Sequence, residues 1–316
     1  MAPSRILVSD GLSEDGLAML RTAGDVTANP KISSTELLAV LPDYHALIVR
    51  SRTKVTAQVV EAGTNLRVIG RAGVGVDNID VAAAVARGIT VVNSPLAASV
   101  AVAEHTIGLM LALAHKIVAA DASMKQGKWD KSAFMGGELS GKTVGLLGIG
   151  RIGAIVAGRA VAFGMAVLAY DPFLTSAQIR ERHAEPASLD DVLSRSDYIS
   201  LHLPLTGESK GLIGAEQLAK MKKGARLVCA ARGGVIDEEA LRAALDSGHL
   251  AGAALDVFAS EPPPPGSIAM HPNVIATPHI GAQTVEAQTR AGIAIAEEVI
   301  AVLAGQQPRW KVTTND

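Results

Sequence analysis

Three polar side chains interrupt apolar, glycine-rich stretches: Arg232 in Cys229-Ala230-Ala231-Arg232-Gly233-Gly234, Glu261 shortly after Asp256-Val257-Phe258, and His279 in Thr277-Pro278-His279-Ile280-Gly281. Arginine can hold a carboxylate through two parallel hydrogen bonds. Histidine takes up and returns a proton near neutral pH. Glutamate on the other ring nitrogen fixes the imidazole tautomer. Taken singly, Arg232 reads equally well as a surface ion pair, Glu261 as a loop charge and His279 as a capping group. Together they supply an anion clamp, a proton acceptor and a group that orients it.

A second constellation lies upstream. Gly148-Ile149-Gly150-Arg151-Ile152-Gly153 fits G-x-G-x-x-G, with apolar residues 144–147 before it and a helical pattern over 154–163 after it. In that context Gly148 allows a tight turn, Gly150 lets the backbone approach a pyrophosphate, and Gly153 lets helix and strand pack closely. Free amides at the helix start then face the anion. Asp171 stands 18 residues beyond Gly153, at the end of the apolar run 166–170. A carboxylate there can accept both ribose hydroxyls and repels a 2′-phosphate, so NAD is favoured over NADP.

The elements that must position these groups alternate short apolar runs with helical patterns, as in sheets buried on both faces. Strands are expected at 6–8, 46–49, 68–70 and 90–92, with helices over 15–23 and 58–62. One long helix is expected from Ser99 to about residue 125, with loops at Gly127-Lys128-Trp129 and Gly136-Gly137. A second strand series follows at 143–147, 166–170, 198–203, 225–228, 252–257 and 274–277. Arg232, Glu261 and His279 each come just after one of these strands, at the carboxyl ends where open α/β sheets hold ligands. The terminal helical pattern, 284–304, has no strand after it and is expected to pack back on the first unit. The expected fold is α/β, with two doubly wound parallel-sheet domains of Rossmann-like or flavodoxin-like type. Residues 1–98 and 284–316 form one domain and 99–283 the other.

A chain of 316 residues fits two domains. Its 29 Lys and Arg nearly balance 31 Asp and Glu, which argues against a nucleic-acid binder needing a cationic surface. Cys229 is the only cysteine, which excludes an internal disulfide and a cysteine-rich metal site and favours a reducing, cytoplasmic compartment. The start is too short in apolar length for a signal peptide, and the apolar stretch 100–120 carries Glu104, His105, His115 and Lys116, which argues against a membrane span.

The chain resembles the D-isomer-specific 2-hydroxyacid dehydrogenases. The resemblance runs through Arg50-Ser51, Arg71-Ala72-Gly73-Val74-Gly75-Val76-Asp77-Asn78, Ala103-Glu104-His105-Thr106, Phe134-Met135-Gly136, the glycine loop and the stretches around Arg232, Asp256 and His279. It implies a discontinuous substrate-binding domain, a central NAD domain, an active site in the cleft, and a homodimer built on the NAD domains. It places catalysis on Arg232, Glu261 and His279. Cofactor contacts would fall on Val74, Arg151, Ile152, Asp171, Leu203, Ala230, Ala231, Arg232, Asp256, His279, Gly281 and Ala282, besides Gly148, Gly150 and Gly153. The substrate, a small 2-hydroxy or 2-oxo acid, would meet Arg232, His279 and the Gly73-Val74-Gly75 amides. Arg50, with Ser51 beside it and Arg52 as a helper, would take a distal phosphate, with 3-phospho-D-glycerate the leading substrate. Hydroxypyruvate or glyoxylate reduction stays open, as does an NAD(H)-sensing corepressor role, because corepressors can keep the same three residues. Two departures matter. Cys229 stands where the family often has Asn. The sequence also stops at Asp316, which leads us to expect no regulatory domain.

Overall fold

The computed structural model describes residues 3–313. The first residues of the start judged too short for a signal peptide, and 314–316 at the end of the expected first domain, lie outside the described residues. The chain divides into two compact units, Met1–Ala98 with Ala282–Asp316, and Ser99–Gly281.

The first unit holds five parallel strands, β1 (Ser4–Val8), β2 (Gly24–Ala28), β3 (Ala46–Val49), β4 (Val68–Arg71) and β5 (Thr90–Asn93), in the order β2-β1-β3-β4-β5. The four residues of β3 are all buried, which explains why this central strand reads as a continuous apolar run. β2 was not expected from sequence: it is an edge strand, Gly-Asp-Val-Thr-Ala, with no residue fully buried. The helix Val285–Leu303 packs on the helix Glu14–Arg21. Their crossing is close enough that a Cβ on Gly16 would lie 2.7 Å from the Gly292 carbonyl.

The boundary expected at 283/284 falls instead at 281/282. The amides of Ile280 and Gly281 donate to the Asp256 carboxylate of the second unit, each at 2.8 Å. From Ala282 the chain turns to its own helix, where Gln288 Nε2 donates to the Ala282 carbonyl at 2.7 Å.

The second unit holds seven parallel strands: β6 (Thr143–Leu147), β7 (Ala166–Tyr170), β8 (Glu185–Pro186), β9 (Tyr198–Leu201), β10 (Arg226–Cys229), β11 (Gly252–Leu255) and β12 (Val274–Ala276). Their order is β12-β11-β10-β9-β6-β7-β8. The chain starts at β6, steps outward to β8, then resumes on the other flank at β9, so the order reverses between β6 and β9. That reversal opens a crevice at the carboxyl ends, the ligand position of doubly wound sheets. Edge strand β8, only two residues long, gave no sequence signal.

The single long helix expected from Ser99 to about residue 125 is two helices, Ser99–Ala114 and Ile117–Lys125, bent by 65°. Lys116 takes a left-handed backbone, φ 53°, which breaks the hydrogen-bond ladder between them. The first is largely buried, whereas the second has no buried residue. Among the described residues no single helix is long and apolar enough to cross a membrane.

Candidate active site

Strands β10, β11 and β12 are neighbours and parallel, so the loops bearing Arg232, Glu261 and His279 leave the same edge of the sheet side by side. Gly233 makes the first of these contacts possible. A Cβ there would lie 1.8 Å from the Phe258 carbonyl oxygen, so the Arg232 loop presses directly on the loop leading to Glu261. Arg232 Nη1 donates to the Ala231 carbonyl at 2.8 Å. The thiol of Cys229 lies 3.8 Å from the Arg232 carbonyl and ties the loop from beneath.

His279 Nδ1 and Glu261 Oε2 are 2.8 Å apart, and the two side chains keep 48% and 38% of their exposure. With Nδ1–H donating to the carboxylate, Nε2 carries the lone pair and is left to face a reactant. The other Glu261 oxygen accepts from the Phe258 amide at 3.2 Å.

His279 has φ 52°, a left-handed conformation that costs energy for a side chain with a Cβ. Asp256, 1% exposed, holds it there. Its carbonyl accepts the His279 amide at 2.9 Å, while its carboxylate accepts from the next two amides and from Thr277 Oγ1 at 2.6 Å. His105 Nε2, from the helix Ser99–Ala114, lies 3.2 Å from Thr277 Oγ1 and 3.4 Å from Asp256. Burial works to raise the Asp256 carboxyl, yet the bonds from His105, Thr277, Ile280 and Gly281 together hold it below its ordinary value. Sequence reasoning placed Asp256 among cofactor contacts and gave His105 and Thr277 no role in the site. The available signal was a histidine interrupting an apolar helix.

At the β6/β9 reversal the three glycines behave differently from one another. Gly148 has φ 85°, and a Cβ on it would lie 2.7 Å from the His202 carbonyl and 2.9 Å from Leu203, in the loop after β9. A Cβ on Gly153 would lie 2.4 Å from the Gly148 carbonyl, whereas one on Gly150 would meet nothing within 4 Å. The helix Arg151–Ala162 has Gly150 as its N-cap and no side-chain cap, and a Cβ on that N-cap would meet only open space, a helix start suited to an anion. Asp171 accepts the Ile149 and Phe173 amides, one on each oxygen, at 3.0 Å. That holds the carboxylate at the end of β7, next to the glycine loop, with lone pairs left for hydroxyl donors. Ala230 is buried and Ala231 half-buried, while Arg151 is exposed. An open, uncapped helix start beside a fixed carboxylate suits a dinucleotide.

In the first unit, Arg50 and Ser51 follow β3, and Gly73, Val74 and Gly75 follow β4. Arg50 is half-buried, and burial lowers its guanidinium while Asp10 opposes that shift. Its Nη2 donates to Gln283 Oε1 at 3.3 Å. Arg52 turns away instead, donating to the carbonyls of Ile32 and Ser9 and pairing with Asp10. Gly73, φ 152°, leaves room for the Arg71 guanidinium, which occupies the space a Cβ would need. The Gly73 amide already donates to the Arg71 carbonyl at 2.9 Å, so an anion at this loop meets the Val74 and Gly75 amides. Among the described residues no group of three His, Cys, Asp or Glu is placed to hold a metal ion.

Residues 107–281 match the family described as D-isomer specific 2-hydroxyacid dehydrogenase, NAD binding domain. The chain belongs to that family. It is 45% identical over 309 residues to a D-3-phosphoglycerate dehydrogenase of Synechocystis sp., covering 98% of this chain and 56% of that protein. To the D-3-phosphoglycerate dehydrogenase of Methanocaldococcus jannaschii it is 49% identical over 303 residues, covering 96% and 58%. The chain thus spans little more than half the length of these curated relatives. Among solved structures it is similar to a glyoxylate reductase from Paecilomyes thermophila, with a TM-score of 0.89, 29% identity and 100% of each chain covered. The family's cofactor is the one for which the glycine loop and Asp171 are suited.

Proposed function

We propose that the protein is an NAD-dependent D-2-hydroxyacid dehydrogenase whose substrate is 3-phospho-D-glycerate, oxidised to 3-phosphohydroxypyruvate. The observation that carries the reaction class is the Glu261–His279 pair beside the Arg232 loop, at the carboxyl edge of a sheet of the family's NAD-binding domain. Bound NAD supplies the hydride acceptor. His279 Nε2 takes the C2 hydroxyl proton as the C2–H pair leaves, and C2=O forms. Glu261 keeps the imidazole turned and its tautomer fixed. Arg232 holds the substrate carboxylate and stabilises charge on the reacting oxygen. Asp171 and the glycine loop position the cofactor. Arg50 takes the phosphate, a reading supported by relatives named for the phosphorylated substrate.

The fold shared with a glyoxylate reductase supports a second reading, in which the same residues reduce an unphosphorylated oxo acid such as hydroxypyruvate or glyoxylate. NADH formation at 340 nm from 3-phospho-D-glycerate and NAD, with hydrazine trapping the product, separates the two. Its expected result is oxidation of phosphoglycerate well above the response to unphosphorylated acids. NADH loss only with hydroxypyruvate or glyoxylate keeps the chemistry and discards the phosphate.

A homodimer through the NAD-binding unit belongs to this proposal. The helix Ile117–Lys125 and the loop after it expose Ile117, Val118, Met124, Trp129 and Met135, an apolar surface that a second copy would cover. A free, buried Cys229 fits the reducing cytoplasm.

A further inference from the structure

The five-stranded sheet has its own order reversal, between β1 and β3. The loops leaving these two strands carry Asp10 and Arg50. Doubly wound sheets take ligands at such reversals, so the pair sits where the topology itself opens a crevice.

Asp10 is 5% exposed, and it serves the Arg50 loop with both carboxylate oxygens. Oδ2 accepts the Arg50 amide at 2.6 Å and the Thr53 amide at 3.3 Å. Oδ1 accepts the Thr53 hydroxyl at 2.7 Å and lies 3.1 Å from the Arg52 guanidinium. The opposite side of the loop is braced by Asn78, whose Nδ2 donates to the carbonyls of Arg50 and Thr53 at 2.8 and 2.7 Å. The loop thus has its amides tied to a buried carboxylate and its carbonyls tied to an amide.

The two arginines of the loop end differently. Arg52 is neutralised by Asp10 and pinned to backbone carbonyls. Arg50 gives Asp10 only its amide, and its guanidinium reaches a neutral partner, the Gln283 side chain. Asp10 attracts this guanidinium through space but bonds only to the Arg50 amide, so burial still outweighs that attraction, a state that an incoming anion relieves.

We propose that Asp10 is the positioning residue of the phosphate site: it fixes the Arg50–Thr53 loop and occupies Arg52, so that Arg50 alone is presented to the substrate's phosphate. This rests on the phosphoglycerate reading and adds a residue that sets specificity without touching substrate. Losing charge and one acceptor in Asp10→Asn slackens the loop and frees Arg52, and affects only ligands that use the phosphate.

The test compares kcat/KM for 3-phospho-D-glycerate oxidation with kcat/KM for hydroxypyruvate reduction, in wild type, Asp10→Asn and Thr53→Val. Asp10→Asn is expected to raise KM for phosphoglycerate roughly tenfold, the scale of a lost charge-assisted hydrogen bond, and to shift hydroxypyruvate by less than about twofold. Thr53→Val removes only the hydroxyl bond and is expected to move the same ratio in the same direction by less; it serves as the reading if Asp10→Asn does not fold. Equal losses on both substrates, or no change on either, overturn the proposal. A wild type indifferent to the phosphate overturns the phosphoglycerate reading with it, and that outcome is visible before any variant is made.

Discussion

At the scale of single residues, the proposed chemistry rests on which nitrogen of His279 is engaged. Glu261 takes Nδ1 at 2.8 Å, and that bond decides both the tautomer and the direction in which Nε2 points. Glu261→Gln keeps a hydrogen-bonding shape but loses the charge. It is expected to lower kcat about tenfold while leaving the Kd for NADH within twofold, measured by steady-state kinetics and nucleotide fluorescence. Cys229 makes a different point. Burial pushes its thiol up to about 11, against the opposing bonds from the Ala231 and Arg232 backbone. A thiol protonated at pH 8 and sealed from solvent is a poor nucleophile. Iodoacetamide is therefore expected to leave the native protein unlabelled at pH 8 and to label it rapidly in urea, as mass spectrometry would record.

At the scale of elements, the loop bearing His279 is held by one buried carboxylate. Asp256 follows β11 directly and bonds to the loop after β12 and, through His105, to the helix Ser99–Ala114. Because its carboxyl is held below the ordinary value near 4, its stabilising contribution is complete above that pH and disappears as pH falls through the lower folded value. Asp256→Asn is thus expected to lower the urea midpoint clearly at pH 7, with the gap from wild type narrowing at pH 3. A gap independent of pH contradicts this account. The same elements show what was legible beforehand. Strands buried on both faces announced themselves as apolar runs, and the spacing of Gly148 and Gly153 announced a tight turn and a close approach. The edge strands β2 and β8 did not, because half-exposed edges carry polar residues. Nor did the break at Lys116, since a single left-handed residue leaves no mark in an otherwise helical pattern. The link from His105 to Asp256 joins residues 151 positions apart, and only the assembled sheet brings them together.

For the whole molecule, each sheet reverses its strand order once, and each reversal is flanked by loops that carry candidate binding groups: the glycine loop and Leu203 in the second unit, Asp10 and Arg50 in the first. The exposed apolar helix Ile117–Lys125 leads to a further expectation, that light scattering reports the mass of two chains and that Val118→Glu shifts it toward one. The central claim, that His279 is the acid–base group of a hydride transfer, is tested most directly by His279→Ala. Turnover of whichever acid the wild type uses best should fall roughly 10²–10⁴-fold, with NADH binding intact. A variant that binds NADH normally and turns over at the wild-type rate would contradict the account.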